Sequence, residues 1–145
     1  TMDIRRTGGW RRFLILGMVL GVILCTASGC VTKRGDKQKL RDVKFTVLNK
    51  DMIPEELASQ IAEKQTEPFF MTYADQGELY IARGYGEQPT SGYSVEVDSL
   101  YETADALRVH TNLLGPEKGE EIKDTATFPY VVIQLEFIEK EVLLD

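Results

Sequence analysis

Cysteine and histidine are almost missing from these 145 residues, with two Cys and one His. Both cysteines, Cys25 and Cys30, lie in the first thirty positions. From Val31 onward there is no thiol, which excludes a disulfide and a cysteine metal ligand there. Stability must then come from the core alone. A single histidine leaves any metal site to carboxylates, and no Ser-His-Asp order is suggested by spacing. His110 stands between Val109 and Thr111, on the face opposite the apolar residues, so it is expected to point to solvent. A general base would need a nucleophile and an orienting acid beside it. Long apolar runs are scarce as well. The one run, Phe13 to Cys25, has 13 residues, whereas a spanning helix needs about 20.

That run has the right size for the apolar core of a secretory signal, and Arg5, Arg6, Arg11 and Arg12 precede it as a positive flank. Thr26-Ala27-Ser28-Gly29-Cys30 comes next. Small residues before a cysteine resemble the lipobox of bacterial lipoproteins, with Ala27 where leucine is commoner. The resemblance implies cleavage ahead of Cys30 and acylation of its thiol. An uncleaved membrane anchor and a plain signal peptide cut after Ala27 or Gly29 are the alternatives. All three export the C-terminal domain. The expected organisation is a signal peptide over 1–29, a basic tether over 30–41 after the lipidated Cys30, and one domain over 42–145. The expected address is the bacterial cell envelope, lipid-anchored on the extracytoplasmic face.

Charge divides the exported part. Residues 30–41 hold five basic side chains against Asp36, while residues 42–145 hold eight basic against twenty-one acidic, net −13. A basic stretch beside a lipid suits an anionic leaflet, at about 1 kcal/mol per cation; a merely solvated tether is the other reading. Net −13 argues against nucleic acid, whose phosphates it would repel, and can steer a basic partner.

The domain reads as mainly β (α+β): a small antiparallel β-sandwich or curled sheet with one short helix near its N-terminal side. Val43, Phe45 and Val47 alternate in a first strand. Pro54 suits a helix start, Glu55 and Glu56 suit its first turn, and Leu57 and Ile61 share one face. Phe69, Met71 and Tyr73 alternate with Phe70 and Thr72, then "ADQG" turns and "ELYIAR" returns as a hairpin. Tyr93, Val95 and Val97 begin the next strand, "ETAD" turns, and Leu107, Val109, Thr111 and Leu113 form its mate. A polar loop spans Gly115 to Thr127. The last strand, Tyr130 to Ile138, is apolar on both faces at Val131, Val132 and Ile133, which predicts a central, doubly covered place. About 104 residues suffice for one core.

Chemistry is thinly represented. Glu117, Glu120, Glu121 and Asp124 lack the alternating ligand spacing of a calcium loop and read as a solvated acidic segment. "GYGEQ" is no phosphate loop, since neither a lysine nor a helix follows it. No enzyme, no cofactor and no metal are expected.

The segment Gly84 to Tyr93, "GYGEQPTSGY", combines constraint with aromatic and polar groups. Pro89 fixes its own φ and pushes Gln88 extended, while Gly86 and Gly92 open turns closed to other residues. A stiff loop loses little entropy on contact, and Tyr85 and Tyr93 offer area suited to an interface. The plainer reading makes the segment a connection and Tyr93 a core residue heading an inward alternation.

"LYIARGYGEQPTSGYSVEV", "LRVHTNLLGP" and "TFPYVVIQLE" together resemble the PrcB C-terminal domain family, across roughly Phe69 to Glu136. The matching positions are Pro89, Thr90, Ser91, Gly92 and Tyr93, then Pro116, then Thr127, Pro129 and Tyr130. The family takes its name from a lipoprotein subunit of a bacterial surface protease complex, which supports the protease's stability. The resemblance implies a non-enzymatic exported accessory protein that binds and stabilises or regulates another exported protein, a protease among the candidates. Together with the stiffness of the loop, the resemblance makes Tyr85, Gln88, Pro89, Thr90, Ser91, Gly92 and Tyr93, with Phe128, Pro129 and Tyr130, the expected contact residues. Residues 88–93 are also similar to the Asn-Pro-Thr-Thr-Gly-Tyr loop of chagasin-type cysteine protease inhibitors, which have an immunoglobulin-like sandwich. Pro89, Thr90, Gly92 and Tyr93 match, and Gln88 and Ser91 depart. That family's glycine-rich loop is missing, and Phe128-Pro129-Tyr130 lacks its arginine. Inhibitor is therefore one alternative function, and a structural or small-ligand envelope module is another.

Overall fold

Alternation of apolar and polar residues dominates the chain after Phe69, and the computed structural model, which describes residues 38–145, resolves it into two four-stranded sheets. The strands are β1 (Arg41–Asp42), β2 (Thr46–Val47), β3 (Pro68–Asp75), β4 (Glu78–Tyr85), β5 (Ser94–Glu102), β6 (Ala106–Leu114), β7 (Tyr130–Glu136) and β8 (Glu141–Leu144). Among the described residues one α-helix, α1, spans Glu55–Lys64. One sheet has the order β1-β5-β6-β8 and the other β2-β7-β4-β3. The expected signal segment, Cys30 and the tether up to Lys37 lie outside the described residues. Residues 38–41, read from the sequence as the tether's end, run along β5: Leu40 N–H donates to the Glu102 carbonyl at 2.7 Å. Among the described residues no helix is long and apolar enough to cross a membrane.

The core between the sheets is built from one parity of each strand, except that β5 switches parity along its length. Leu79 and Ile81 of β4, Val131, Ile133 and Leu135 of β7, Leu100 of β5, and Leu107 and Val109 of β6 are buried together. The opposite parity of β4 and β7 is apolar too, and α1 covers it. Leu57 and Ile61 are buried there against Phe69, Ala82 and Val132, each contributing about 1.5–3 kcal/mol by leaving water. β7 thus occupies the doubly covered place its composition predicts. Ala82 and Gly84 keep that face low. At Gly84 the Phe69 ring lies flat across the backbone, 2.1 Å from where a Cβ would stand.

Two expected strands differ. Residues 43–48 do not form one strand: the chain leaves β1, buries Val43 and crosses to the other sheet before β2. Val43 and Phe45 join the core, whereas Val47 is 57% exposed. The strand expected over Tyr130 to Ile138 ends at Glu136, and a further short strand, β8, pairs in parallel with β6. The pairing is antiparallel everywhere else. A bulge at Asp98 also breaks β5, shifting the register between Val97 and Ser99 so that Leu100 instead of Ser99 faces the core.

Turns fix the hairpins. Gln76 and Gly77 both have positive φ (50° and 81°), the two-residue turn that matches strand twist between β3 and β4. In the β5–β6 turn Thr103 is fully buried. Its hydroxyl accepts from Ala106 N–H at 3.1 Å and donates to the Asp105 carboxylate at 3.1 Å. Lys140 crosses to the Thr103 carbonyl (2.8 Å) and to Glu102 (2.6 Å), while Arg41 reaches Glu102 at 2.7 Å.

Candidate functional site

At one end of the sandwich β4 runs out into residues 86–93, and β6 runs out into 115–129. The two connections are bonded to each other. Gln88 and Thr127 exchange both backbone hydrogen bonds, at 2.8 and 3.0 Å. Ser91 N–H donates to the Lys123 carbonyl at 3.1 Å, and Lys123 N–H returns to the Ser91 hydroxyl at 2.8 Å. The Thr127 hydroxyl donates to the Thr90 carbonyl at 2.7 Å. Tyr85 N–H reaches the Pro129 carbonyl at 3.2 Å. One flank of the 85–93 segment is therefore fastened at Tyr85, Gln88, Thr90 and Ser91.

Two glycines make the path possible. Gly86 is buried with φ +76°, its backbone laid against Pro68, and Gly92 has φ +93° against Pro116 and Glu120. Either a Cβ or an ordinary φ would push these connections apart. The other flank faces out. Glu87 and Pro89 are exposed, and Gln88, Thr90, Ser91, Gly92 and Tyr93 are half-buried.

The tyrosines divide between roles. Tyr85 follows Leu79, Ile81 and Arg83 on the inward parity of β4. Its hydroxyl shares a 2.6 Å hydrogen bond with Thr111 of β6. The Arg83 guanidinium stacks 4.1 Å above the Tyr85 ring and donates through Nη1 to the Gly84 carbonyl at 2.7 Å. A charged residue at an inward-facing position was the sequence signal for this closure, and sequence reasoning passed over it. Tyr93 precedes β5 and stands by Gly115, half-buried. Tyr130 belongs to the opposite face of its sheet, beside Phe69 at 6.4 Å and under the Lys50 ammonium at 5.1 Å. Burial pushes its phenol above the usual value. Pro129 thus joins the loop pair, half-buried Phe128 adjoins it, and the Tyr130 ring turns away toward the helix side.

His110 lies on the bare outer face of sheet β1-β5-β6-β8. Its Nδ1 is 2.6 Å from Asp98, and Asn112 donates to the other oxygen of that carboxylate at 3.1 Å. The His110 hydrogen bond, then that of Asn112, holds the Asp98 carboxyl below the ordinary carboxylate value, against some desolvation. With 41% of its side chain exposed, His110 is a surface group ordered by the bulge at Asp98. Among the described residues no three His, Cys, Asp or Glu side chains gather as a metal site.

A small two-sheet domain with one covering helix and a pair of mutually bonded loops is the class this geometry defines. The stretch over residues 79–136 matches the model of the PrcB C-terminal family. It begins in β4 and ends with β7, so it contains both bonded loops and the whole β5–β6 hairpin. No curated protein matches the chain, and no solved structure does.

Proposed function

We propose that the chain is an exported, lipid-anchored PrcB-like protein, without catalytic activity of its own, that binds another exported protein through the outward flank of residues 85–93. The chemical class of partner is a folded exported protein, a protease among the candidates, which it stabilises or regulates. The observation that carries this reading is one-sided fastening. Hydrogen bonds from residues 123–129 use the inner edge of the loop, while Glu87 and Pro89 stay exposed on the other. A loop already ordered by its own fold loses little entropy when a partner arrives.

The test is affinity capture from membranes with wild type and a Pro89→Ala/Thr90→Ala double variant, quantifying each co-purifying protein. A partner lost by about tenfold or more with the variant supports the reading; equal recovery of every partner overturns it. The chagasin-type similarity at Pro89, Thr90, Gly92 and Tyr93 favours inhibition as the second reading. Inhibition of papain by the purified protein would support it, and unchanged papain activity at about 100 μM would dismiss it.

A further inference from the structure

At the end of the sandwich away from the bonded loops, the two sheets do not close over each other. On one long side the chain crosses between the sheets at Val43–Phe45. On the other, the edge strands β3 and β8 stand apart, and a groove of about 590 Å³ lies between Thr72–Ala74 and Phe137–Val142. Its floor is apolar, with Leu79, Ile138 and Val142 packed on the core. Phe137 stands at the lip, 46% exposed.

Among the described residues β3 pairs on one side only, with β4. The two-residue turn makes Asp75 and Glu78 a hydrogen-bonded pair, and such pairs alternate along an antiparallel ladder. Tyr73, Met71 and Phe69 therefore bond to β4, while the N–H and C=O groups of Phe70, Thr72 and Ala74 point out at the free edge. Folded proteins usually blunt such an edge with proline or an inward charge. Here Pro68 guards only the loop end, and Thr72 and Ala74 are exposed and uncharged. On the outer face of β3 Asp75 is exposed beside Tyr73, whose hydroxyl donates to the exposed Glu56 of α1, and the far rim of the groove carries Glu139 and Glu141. Its one cation, Lys140, is engaged with Glu102 and the Thr103 carbonyl.

We infer that the β3 edge is a second docking site, taking an extended segment of a partner protein in which apolar and basic residues alternate. The segment adds as a strand beside Phe70–Ala74. Its apolar side chains enter the groove toward Leu79 and Phe137, and its alternate Lys or Arg side chains, on the opposite face, meet Asp75 and Glu56. Main-chain bonds supply the affinity in such strand addition, and side-chain complementarity supplies the choice. The groove end of this edge, where Ala74 pairs with Leu79, lies six residues of β4 from Tyr85 and the bonded loops, about 20 Å along the strand. The two surfaces can therefore be occupied independently.

The test uses the full chain and a fluorescent eight-residue peptide alternating valine and lysine, matched to the eight residues of β3. Anisotropy should give saturable binding, and amide exchange at Phe70, Thr72 and Ala74 should slow by about tenfold or more on saturation. The same peptide N-methylated at alternate residues should bind about tenfold more weakly, as should the parent peptide to a Glu56→Lys/Asp75→Lys protein. No binding up to about 1 mM overturns the inference. So does equal affinity for the N-methylated peptide or for the charge-reversed protein. Sedimentation as a dimer that Thr72→Pro dissociates would assign the edge to a second copy instead, and would equally overturn it. None of these readouts involves the 85–93 loop, so their failure leaves the loop reading standing.

Discussion

Sheet β2-β7-β4-β3 is dry on both faces over much of its area, whereas sheet β1-β5-β6-β8 buries one face and leaves the other to water. The first holds its outer face with apolar contacts, Leu57 and Ile61 against Phe69, Ala82 and Val132. The second orders its outer face with polar groups: Tyr101 donates to Asp145 at 2.7 Å, Arg108 lies 3.7 Å from the same carboxylate, and His110 and Asn112 share Asp98. Hydrophobic burial is additive in area and insensitive to pH, while exposed polar networks add little to stability and respond to titration. The two sheets should therefore answer differently to mutation and to pH.

The largest separation is expected between Ile133→Ala in β7 and Asn112→Ala on the bare face. Loss of the buried Ile133 side chain should cost about 2–5 kcal/mol in urea unfolding, and the Asn112 change about 0.5 kcal/mol or less. Equal losses would break the contrast. Next comes Gly84→Ala, whose methyl would collide with the Phe69 ring; overpacking of this kind costs about 1–3 kcal/mol. Thr103→Val, which removes the hydroxyl serving Ala106 N–H in a fully buried turn, should cost about 1–2 kcal/mol.

The smallest effects lie in pH. Asp98 is held below its ordinary value by the hydrogen bond with His110, and Glu102 by Lys140 and then Arg41. A depressed carboxylate contributes stability that is present above its unfolded pKa and lost as pH falls through the folded one. Asp98→Asn should therefore flatten the loss of stability on acidification below about pH 4, where an unperturbed aspartate titrates. Tyr101 moves the other way, raised by its hydrogen bond to Asp145. Its contribution is present below about pH 10 and lost as pH rises through the folded value. Tyr101→Phe should flatten the alkaline limb, read by circular dichroism across a pH series. The covered sheet has a counterpart in Tyr73, raised by its hydrogen bond to Glu56 of α1, so Tyr73→Phe tests whether the helix side shares that limb.

Much of this architecture was written in short-range patterns. "ADQG" between two alternating runs specified the β3–β4 hairpin, Leu57 and Ile61 specified the buried stripe of α1, and "VVI" specified a strand covered twice. What escaped had long-range or parity causes. β8 is four residues whose partner, β6, lies some thirty positions earlier, so nothing local marks "EVLL" as a strand. The bulge at Asp98 was legible in principle, because Val95 and Val97 keep one parity and Leu100 takes the other. The split of 43–48 follows from a crossing between sheets that alternation alone cannot show. At the loop end, stiffness was visible in Pro89, Gly86 and Gly92, but the fastening to Thr127 and Lys123 joins residues more than thirty apart. The Tyr130 ring went to the helix side because β7 has opposite parity there, separating it from the loop residues grouped with it by motif.

The bonds between the two loops run mostly through main-chain atoms: Gln88 with Thr127, Ser91 with Lys123, Tyr85 with Pro129. A framework fixed by amides and carbonyls is indifferent to most side-chain identities above it. Positions such as the exposed Glu87 can thus change without redirecting the path of the loop.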